Sequence, residues 1–199
     1  MTNAIILAAG YSKRMGENKL SLNLNGRSII EHVMDSVLSY NFNDIVLVGR
    51  DETVLKLSQK RGIKTIFNAK ALYGQSESIK LGIINSCDTD GYMFFTGDQP
   101  FIDTDTIRLL NYAFDKYKHS IIVPTFNSRR GSPVIFPKRF REDLLCLQGD
   151  TGGRIIIDKH KNYVQFIELS SQLPLLDIDT PEDYKNILNI INKRMVRYV

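Results

Sequence analysis

The chain has 199 residues, 43% hydrophobic and 24% charged, which suits one globular domain able to bury a core without disulfides or structural metal. Its 13 Gly and 6 Pro exclude a collagen-like or low-complexity chain, and it is short for an eightfold βα barrel of about 250 residues. The net charge of +4 fits a phosphorylated small molecule; with no basic block beyond Lys138-Arg139-Phe140-Arg141 and Lys193-Arg194, nucleic acid is disfavoured as a partner.

Apolar, β-rich runs occur at Ala4–Ala9, Ile45–Gly49, Lys64–Phe67, Tyr92–Thr96, Ile121–Pro124 and Pro133–Phe136. Between them lie stretches with helical spacing. In Ser28–Tyr40 the expected buried face is Ile29, Ile30, Val33, Val37 and Leu38; in Asp103–Lys118 it is Ile107, Leu110, Phe114 and Tyr117. Asp51 is placed to cap a helix over Glu52–Arg61, and Asp103 or Thr104 the helix that follows. The runs at 121–124 and 133–136, separated by a polar turn, suggest two antiparallel strands. A last helix, Thr180–Val199, opens with Thr180 as cap, Pro181 at its first position and acids in the first turn. This alternation predicts one three-layer α/β domain, Rossmann-like, with a mostly parallel central sheet and helices on both faces. Cys87 and Cys146 stand far apart and are expected to be reduced and partly buried. No apolar run reaches the ~20 residues of a membrane span, and the N-terminus lacks the features of a signal peptide. The expectation is a cytoplasmic protein with no membrane partner.

Several segments carry chemistry. The loop after the first strand, Leu7 to Lys19, begins with the small residues Ala8, Ala9 and Gly10, which allow close approach to the backbone, and continues to Arg14 and Lys19, which suit phosphate. Loops at the carboxyl ends of strands are where open α/β sheets bind ligands. Asp98, in Gly97-Asp98-Gln99-Pro100, follows another apolar strand and so reaches the same sheet edge, where a carboxylate suits Mg²⁺ or caps a turn. Asp177 and Asp179 are a second carboxylate source; on a strand they would share one face, and otherwise they would cap the last helix. Between strand three and the next helix, Gln75, Ser76 and Ser78 offer hydrogen-bonding groups for a base or ribose, or a plain helix cap at Ser76 or Ser78. Arg130 and Arg154 could hold an anion or be ordinary surface charges.

The stretch Leu7-Ala8-Ala9-Gly10-Tyr11-Ser12-Lys13-Arg14-Met15-Gly16-Glu17-Asn18-Lys19 resembles the signature of the nucleotidyltransferases that build molybdenum cofactors, in particular the cytidylyltransferases. Guanylyltransferase relatives typically carry Gly where Ala9 stands. The resemblance implies a Rossmann-like sheet like the nucleotide-binding half of glycosyltransferases, with residues of about 1–120 binding nucleotide and about 121–199 binding acceptor. It implies catalytic roles for Arg14, Lys19 and Asp98, nucleotide contacts from Leu7, Ala8, Ala9, Gly10, Arg14, Lys19, Gln75, Ser76 and Ser78, and Mg²⁺ on Asp98 with Asp179 preferred to Asp177. Arg130-Gly131-Ser132-Pro133-Val134 and Gly149-Asp150-Thr151-Gly152-Gly153-Arg154 resemble the acceptor half, assigning Arg130, Asp150 and Arg154 to the acceptor, with Ser132 and Gly153 departing from the usual pattern. The expected reaction is CMP transfer from CTP to a phosphorylated molybdopterin with release of pyrophosphate, the product passing to a molybdenum hydroxylase. The alternatives are GTP or a sugar-phosphate acceptor with the same chemistry, and a non-catalytic nucleotide-binding accessory protein.

Overall fold

In the computed structural model, which describes residues 1–196 and of 192–196 the backbone only, the two periodicities become layers. The chain order is β1 (Thr2–Ala8), a small hairpin of β2 (Asn23–Leu24) and β3 (Arg27–Ser28), α1 (Ile29–Leu38), β4 (Asp44–Gly49), α2 (Glu52–Lys60), β5 (Lys64–Phe67), α3 (Gln75–Asn85), β6 (Gly91–Thr96), α4 (Thr104–Lys116), β7 (Ile121–Phe126), β8 (Arg129–Arg130), β9 (Val134–Pro137), α5 (Arg141–Leu145), α6 (Arg154–Lys159), β10 (Val164–Glu168) and α7 (Pro181–Val196). The expected helix end at Val199 and the side chains of Lys193-Arg194 lie outside the described residues.

The main sheet runs β10-β7-β9-β6-β1-β4-β5, with β8 added to β7. β1 pairs in parallel with β4 on one side and β6 on the other. Strand order therefore reverses beside β1, and the carboxyl ends of these strands open a crevice on one edge. β9 is antiparallel to both β6 and β7, as the two-strand expectation required, so its amino end points to that edge. β10 is a further parallel strand beside β7.

On one face of the sheet, Ile30, Val33 and Met34 of α1, Val54 of α2 and Ile107, Leu110 and Phe114 of α4 cover Ala4, Ile6, Leu47 and Met93. On the other, Ile79 and Ile83 of α3, Leu144 of α5 and Ile157 of α6 cover Ile5, Val46, Phe94 and Phe136. A third cluster packs Ile187 of α7 with Ile178, Ile29 and Leu24, so the last helix anchors the segment that carries Asp177 and Asp179. That segment is not a strand, contrary to one expectation. Leu38 is 41% exposed and Met34 takes its place in the core; Tyr117 lies beyond the end of α4 and is 36% exposed. Both cysteines are free and exposed.

The caps follow the local chemistry. The Asp51 and Asp103 carboxylates accept from the amides of Val54 and Thr106, each three residues on. At α1 the Glu31 carboxylate accepts from the Ser28 amide and hydroxyl, both 2.7 Å, and from Arg61 Nη2 at 2.8 Å. The Ser28 amide and hydroxyl are the main reason its pKa falls to about 2, with Arg61 assisting against burial. Because this folded pKa lies below the unfolded value of 4.5, the stabilisation is full above pH 4.5 and is lost as pH falls through about 2. Glu31→Gln should therefore cost about 1–2 kcal/mol at pH 7, a cap-sized effect. The gap between variant and parent in denaturant midpoint should narrow as pH is lowered from 5 toward 2, and a pH-independent gap would disprove the assignment.

Candidate active site

The loop leaving β1 is folded on itself by Ser12, which adopts a left-handed backbone (φ 49°). Its carbonyl accepts from the Met15 amide at 2.9 Å and its hydroxyl from the Lys19 amide at 3.3 Å. Among the described residues, the amides of Gly10, Tyr11, Ser12, Lys13 and Arg14 donate to no protein acceptor, which leaves a run of N–H groups available to an anion. From the neighbouring strand end, the Arg50 guanidinium stacks over the Tyr11 ring, 4.0 Å from its centroid, and supports the loop from below.

Lys19 reaches across the crevice. Its Nζ lies 2.6 Å from Asp98 Oδ2 and 2.8 Å from Asp179 Oδ1, and Arg14 Nη2 lies 2.7 Å from Asp179 Oδ2. Burial opposes the Lys19 charge, but Asp98 and Asp179 outweigh it and hold the ammonium above its ordinary pKa. Burial likewise opposes ionisation of Asp179, yet Lys19 and Arg14 hold its carboxyl below the usual range. Asp98 is positioned by β6 and by the Gly97 amide donating to Leu7 O at 3.0 Å. Asp179 is positioned from two sides: the Ile178 amide donates to Asp98 O at 3.1 Å, and the Asp183 carboxylate accepts from the amides of Asp179 and Thr180. Thr180 and Asp183 thus supply the cap of α7, and Asp179 is left free to face the crevice. Asp177 is an exposed residue lining the second cavity, and partial desolvation with the nearby charges of Asp98 and Asp179 holds its carboxyl above the usual pKa range.

Two cavities meet at this ion cluster. The first, about 810 Å³, is lined by Leu7 to Arg14, Lys19, Gln75, Ser78 and Asp150. The second, about 950 Å³, has an apolar floor that includes Ile79, Phe94, Val123 and Phe136, with Arg129, Arg130 and Arg154 at its wall. Leu7, Gln75, Thr96, Asp98 and Asp179 line both.

Most of the expected site residues come together here, with two corrections. Ser76 is fully buried and its hydroxyl donates to Gly149 O at 2.8 Å, so it faces away from the cavities. Neither Ser76 nor Ser78 caps α3, whose cap position is Gly74. Asp150 lines the first cavity and not the second, with its carboxylate accepting from the Gln75 amide at 3.2 Å at the start of α3. This clasp requires Gly74, since a Cβ there would stand 2.4 Å from the Asp150 amide at φ +107°. Gly153 departs from the family pattern for a packing reason: a Cβ would stand 2.5 Å from the Phe136 ring. Arg130 and Arg154 reach the second cavity, Arg130 through a 2.7 Å pair with Asp158. Residues not singled out from sequence also line the walls, notably Thr96 and Gln99, whose buried side-chain amide donates to Leu175 O at 3.3 Å. Neither has a sequence signal beyond its neighbourhood to Asp98.

The donor set fits a divalent cation. Asp98 Oδ1 is buried and has no hydrogen-bond partner among the described residues, and Asp179 adds hard oxygens beside it. No group of three His, Cys, Asp or Glu side chains among the described residues could hold a metal ion alone. Mg²⁺ is commonly held by one or two carboxylates with substrate phosphates completing its shell. No helix among the described residues is long and apolar enough to cross a membrane.

Residues 4–164 match the MobA-like NTP transferase domain. The chain is 29% identical over 193 residues to the purine catabolism protein PucB of Bacillus subtilis, covering 90% of this chain and 92% of that one. It is 24% identical to the molybdenum cofactor cytidylyltransferase of Escherichia coli over 92% and 93% of the two chains. It is 30% identical over 128 residues to a probable molybdenum cofactor guanylyltransferase of Natranaerobius thermophilus, covering 63% of this chain and 60% of the relative. Among solved structures, the manganese complex of Rv0371c from Mycobacterium tuberculosis superposes with a TM-score of 0.78 at 20% identity, over 94% of this chain and 98% of that one.

Proposed function

The chain belongs to the MobA-like NTP transferase family, and we propose that it transfers CMP from CTP to a phosphorylated molybdopterin acceptor. A phosphate oxygen of the acceptor attacks the α-phosphorus of CTP, the bond from that phosphorus to the bridging oxygen breaks, and pyrophosphate leaves. The acceptor brings its own nucleophile, so the protein has to align two anions and neutralise charge. The observation that carries this reading is the junction of two cavities at one cluster of Lys19, Asp98 and Asp179.

In this reading the first cavity takes CTP. The backbone of Leu7 to Gly10 lies along the nucleotide, Arg14 and Lys19 hold the triphosphate, and Gln75 and Ser78 face the base. Asp98 and Asp179 hold Mg²⁺, which supplies charge neutralisation on the phosphates when bound. Lys19, paired with both carboxylates in the free protein, transfers its hydrogen bonds to phosphate oxygens. Arg130 and Arg154 receive the anionic end of the acceptor, and the apolar floor receives its ring system. Residues of about 1–120 are the nucleotide half and those of about 121–199 most of the acceptor half. The product would pass to a molybdenum hydroxylase in the cytoplasm.

Base choice rests on Ala9, buried at 6% exposure in the wall of the first cavity. Its methyl group narrows the approach to the backbone and favours a pyrimidine over a purine. CTP should exceed GTP at least about tenfold in kcat/KM, on the scale of a methyl-sized difference. Ala9→Gly should narrow that gap without reversing it. The test is pyrophosphate release with each nucleoside triphosphate, with and without molybdenum-loaded molybdopterin, followed by identification of the product base. Preferential use of GTP, as the name of one relative suggests for that protein, would overturn the cytidylyl assignment and leave nucleotidyl transfer standing.

A further inference from the structure

Thr96 ends β6 opposite Leu7 in the parallel register with β1. Side chains alternate along a strand, so Thr96 points to the same face as Tyr92 and Phe94, which lie in the core cluster beneath the second cavity. Its hydroxyl is therefore a polar atom set into an apolar floor. That oxygen is buried and has no hydrogen-bond partner among the described residues. A buried hydroxyl left unpaired is destabilising, and a Val of the same shape would avoid the cost. Thr96 lines both cavities where they meet, two residues from Asp98, with its hydroxyl just behind their wall.

From this placement we propose that the Thr96 hydroxyl binds the phosphoryl group being transferred, donating a hydrogen bond to a non-bridging oxygen of the nucleotide α-phosphate. The proposal rests on nucleotidyl transfer at this site. The transferred phosphorus has to lie where nucleotide and acceptor meet, and Thr96 is a neutral donor at that place, beside the charged groups of Lys19, Asp98 and Asp179. A donor held rigidly by a strand end needs no reorganisation as charge develops on the phosphoryl oxygens.

The test compares Thr96→Val, Thr96→Ser and the unaltered protein in three measurements. Without ligand, Thr96→Val should melt about 2–4 °C higher, as expected for relieving one unpaired buried hydroxyl in a chain of this size. With CTP and Mg²⁺, its calorimetric affinity should fall about tenfold, the scale of one hydrogen bond to a charged group. In CMP transfer its kcat/KM should fall at least about tenfold, while Thr96→Ser, which keeps the hydroxyl, stays within about threefold of the parent. A lower melting temperature for Thr96→Val would mean that the hydroxyl is bonded within the protein, and unchanged CTP affinity together with unchanged kcat/KM would mean that it touches no phosphate; either overturns the proposal. The melting and binding measurements need no turnover. If the unaltered protein released no pyrophosphate with any nucleotide, transfer itself would fail, while those two measurements would still decide the role of Thr96.

Discussion

Asp98→Asn should lower Mg²⁺-dependent pyrophosphate release by about 10³-fold or more, roughly 4 kcal/mol of transition-state stabilisation, with the fold intact. The substitution keeps the shape of the side chain and removes its charge. Asp98 Oδ1 is buried with no partner among the described residues, so it is available to a cation, while Oδ2 is held by Lys19. Lys19 keeps Asp179 as an ion-pair partner in the variant, and the backbone contacts of Gly97 and Asp98 with Leu7 and Ile178 do not involve the side chain. The melting temperature should therefore change by only a few degrees while activity collapses. Retention of most activity at ordinary Mg²⁺ would remove Asp98 from the metal site. Asp179→Asn should be milder, because both Asp179 oxygens are already engaged by Lys19 and Arg14 and its side chain is 31% exposed against 18% for Asp98, although the variant also loosens Arg14, whose 2.7 Å partner is the lost carboxylate.

The second large effect is expected at Lys19. Lys19→Ala should lower kcat by about 10²-fold or more, about 2.7 kcal/mol, as for loss of one electrostatic stabiliser aimed at developing charge. The pairing in the free protein adds a further consequence. Lys19 is only 11% exposed and neutralises two carboxylates at once. Without it, Asp98 and Asp179 repel each other, so the variant should melt lower and Mg²⁺ should recover part of the loss. Its Mg²⁺ requirement in turnover should stay the same or move to lower concentration, since no ammonium competes for the carboxylates. Titration of Mg²⁺ in paired melting and turnover assays separates the two effects. Unchanged kcat would exclude Lys19 from the chemistry; a sharply raised Mg²⁺ requirement would mean that it supports the metal site and not the phosphates.

Much of the architecture was legible because its signals are local. The β1, β4 and β6 runs are largely buried on both faces and therefore read as continuous apolar segments; β5, at the sheet edge, is only half-buried. Asp51, Asp103 and Thr180 act on amides within a few residues, so their capping roles can be read from neighbours alone. β10 gave no such signal. At the sheet edge, with Phe166 49% exposed, it has neither a continuous apolar run nor a strict alternation. Leu38 and Met34 were exchanged for a related reason: near the border of a helical stripe, sequence spacing leaves open which residue meets the core, and the packing of neighbouring helices decides it.

For the site, sequence alone determined that a small-residue loop bearing Arg14 and Lys19 and a strand-end carboxylate, Asp98, would share the ligand edge of an α/β sheet. Only the tertiary structure decided which partner each charge takes. Lys19 meets residues 79 and 160 positions away, and Asp179 faces it because Ile178 is buried by α7 and Asp183 holds the intervening backbone. The inward turn of Ser76, the placement of Asp150 in the first cavity and the unpaired hydroxyl of Thr96 are of the same kind. Each depends on how a helix, a loop or a strand end is packed against chain remote in sequence. Short-range preferences specify the elements, whereas the facing and the partners of a polar group at a cavity wall are set by long-range packing.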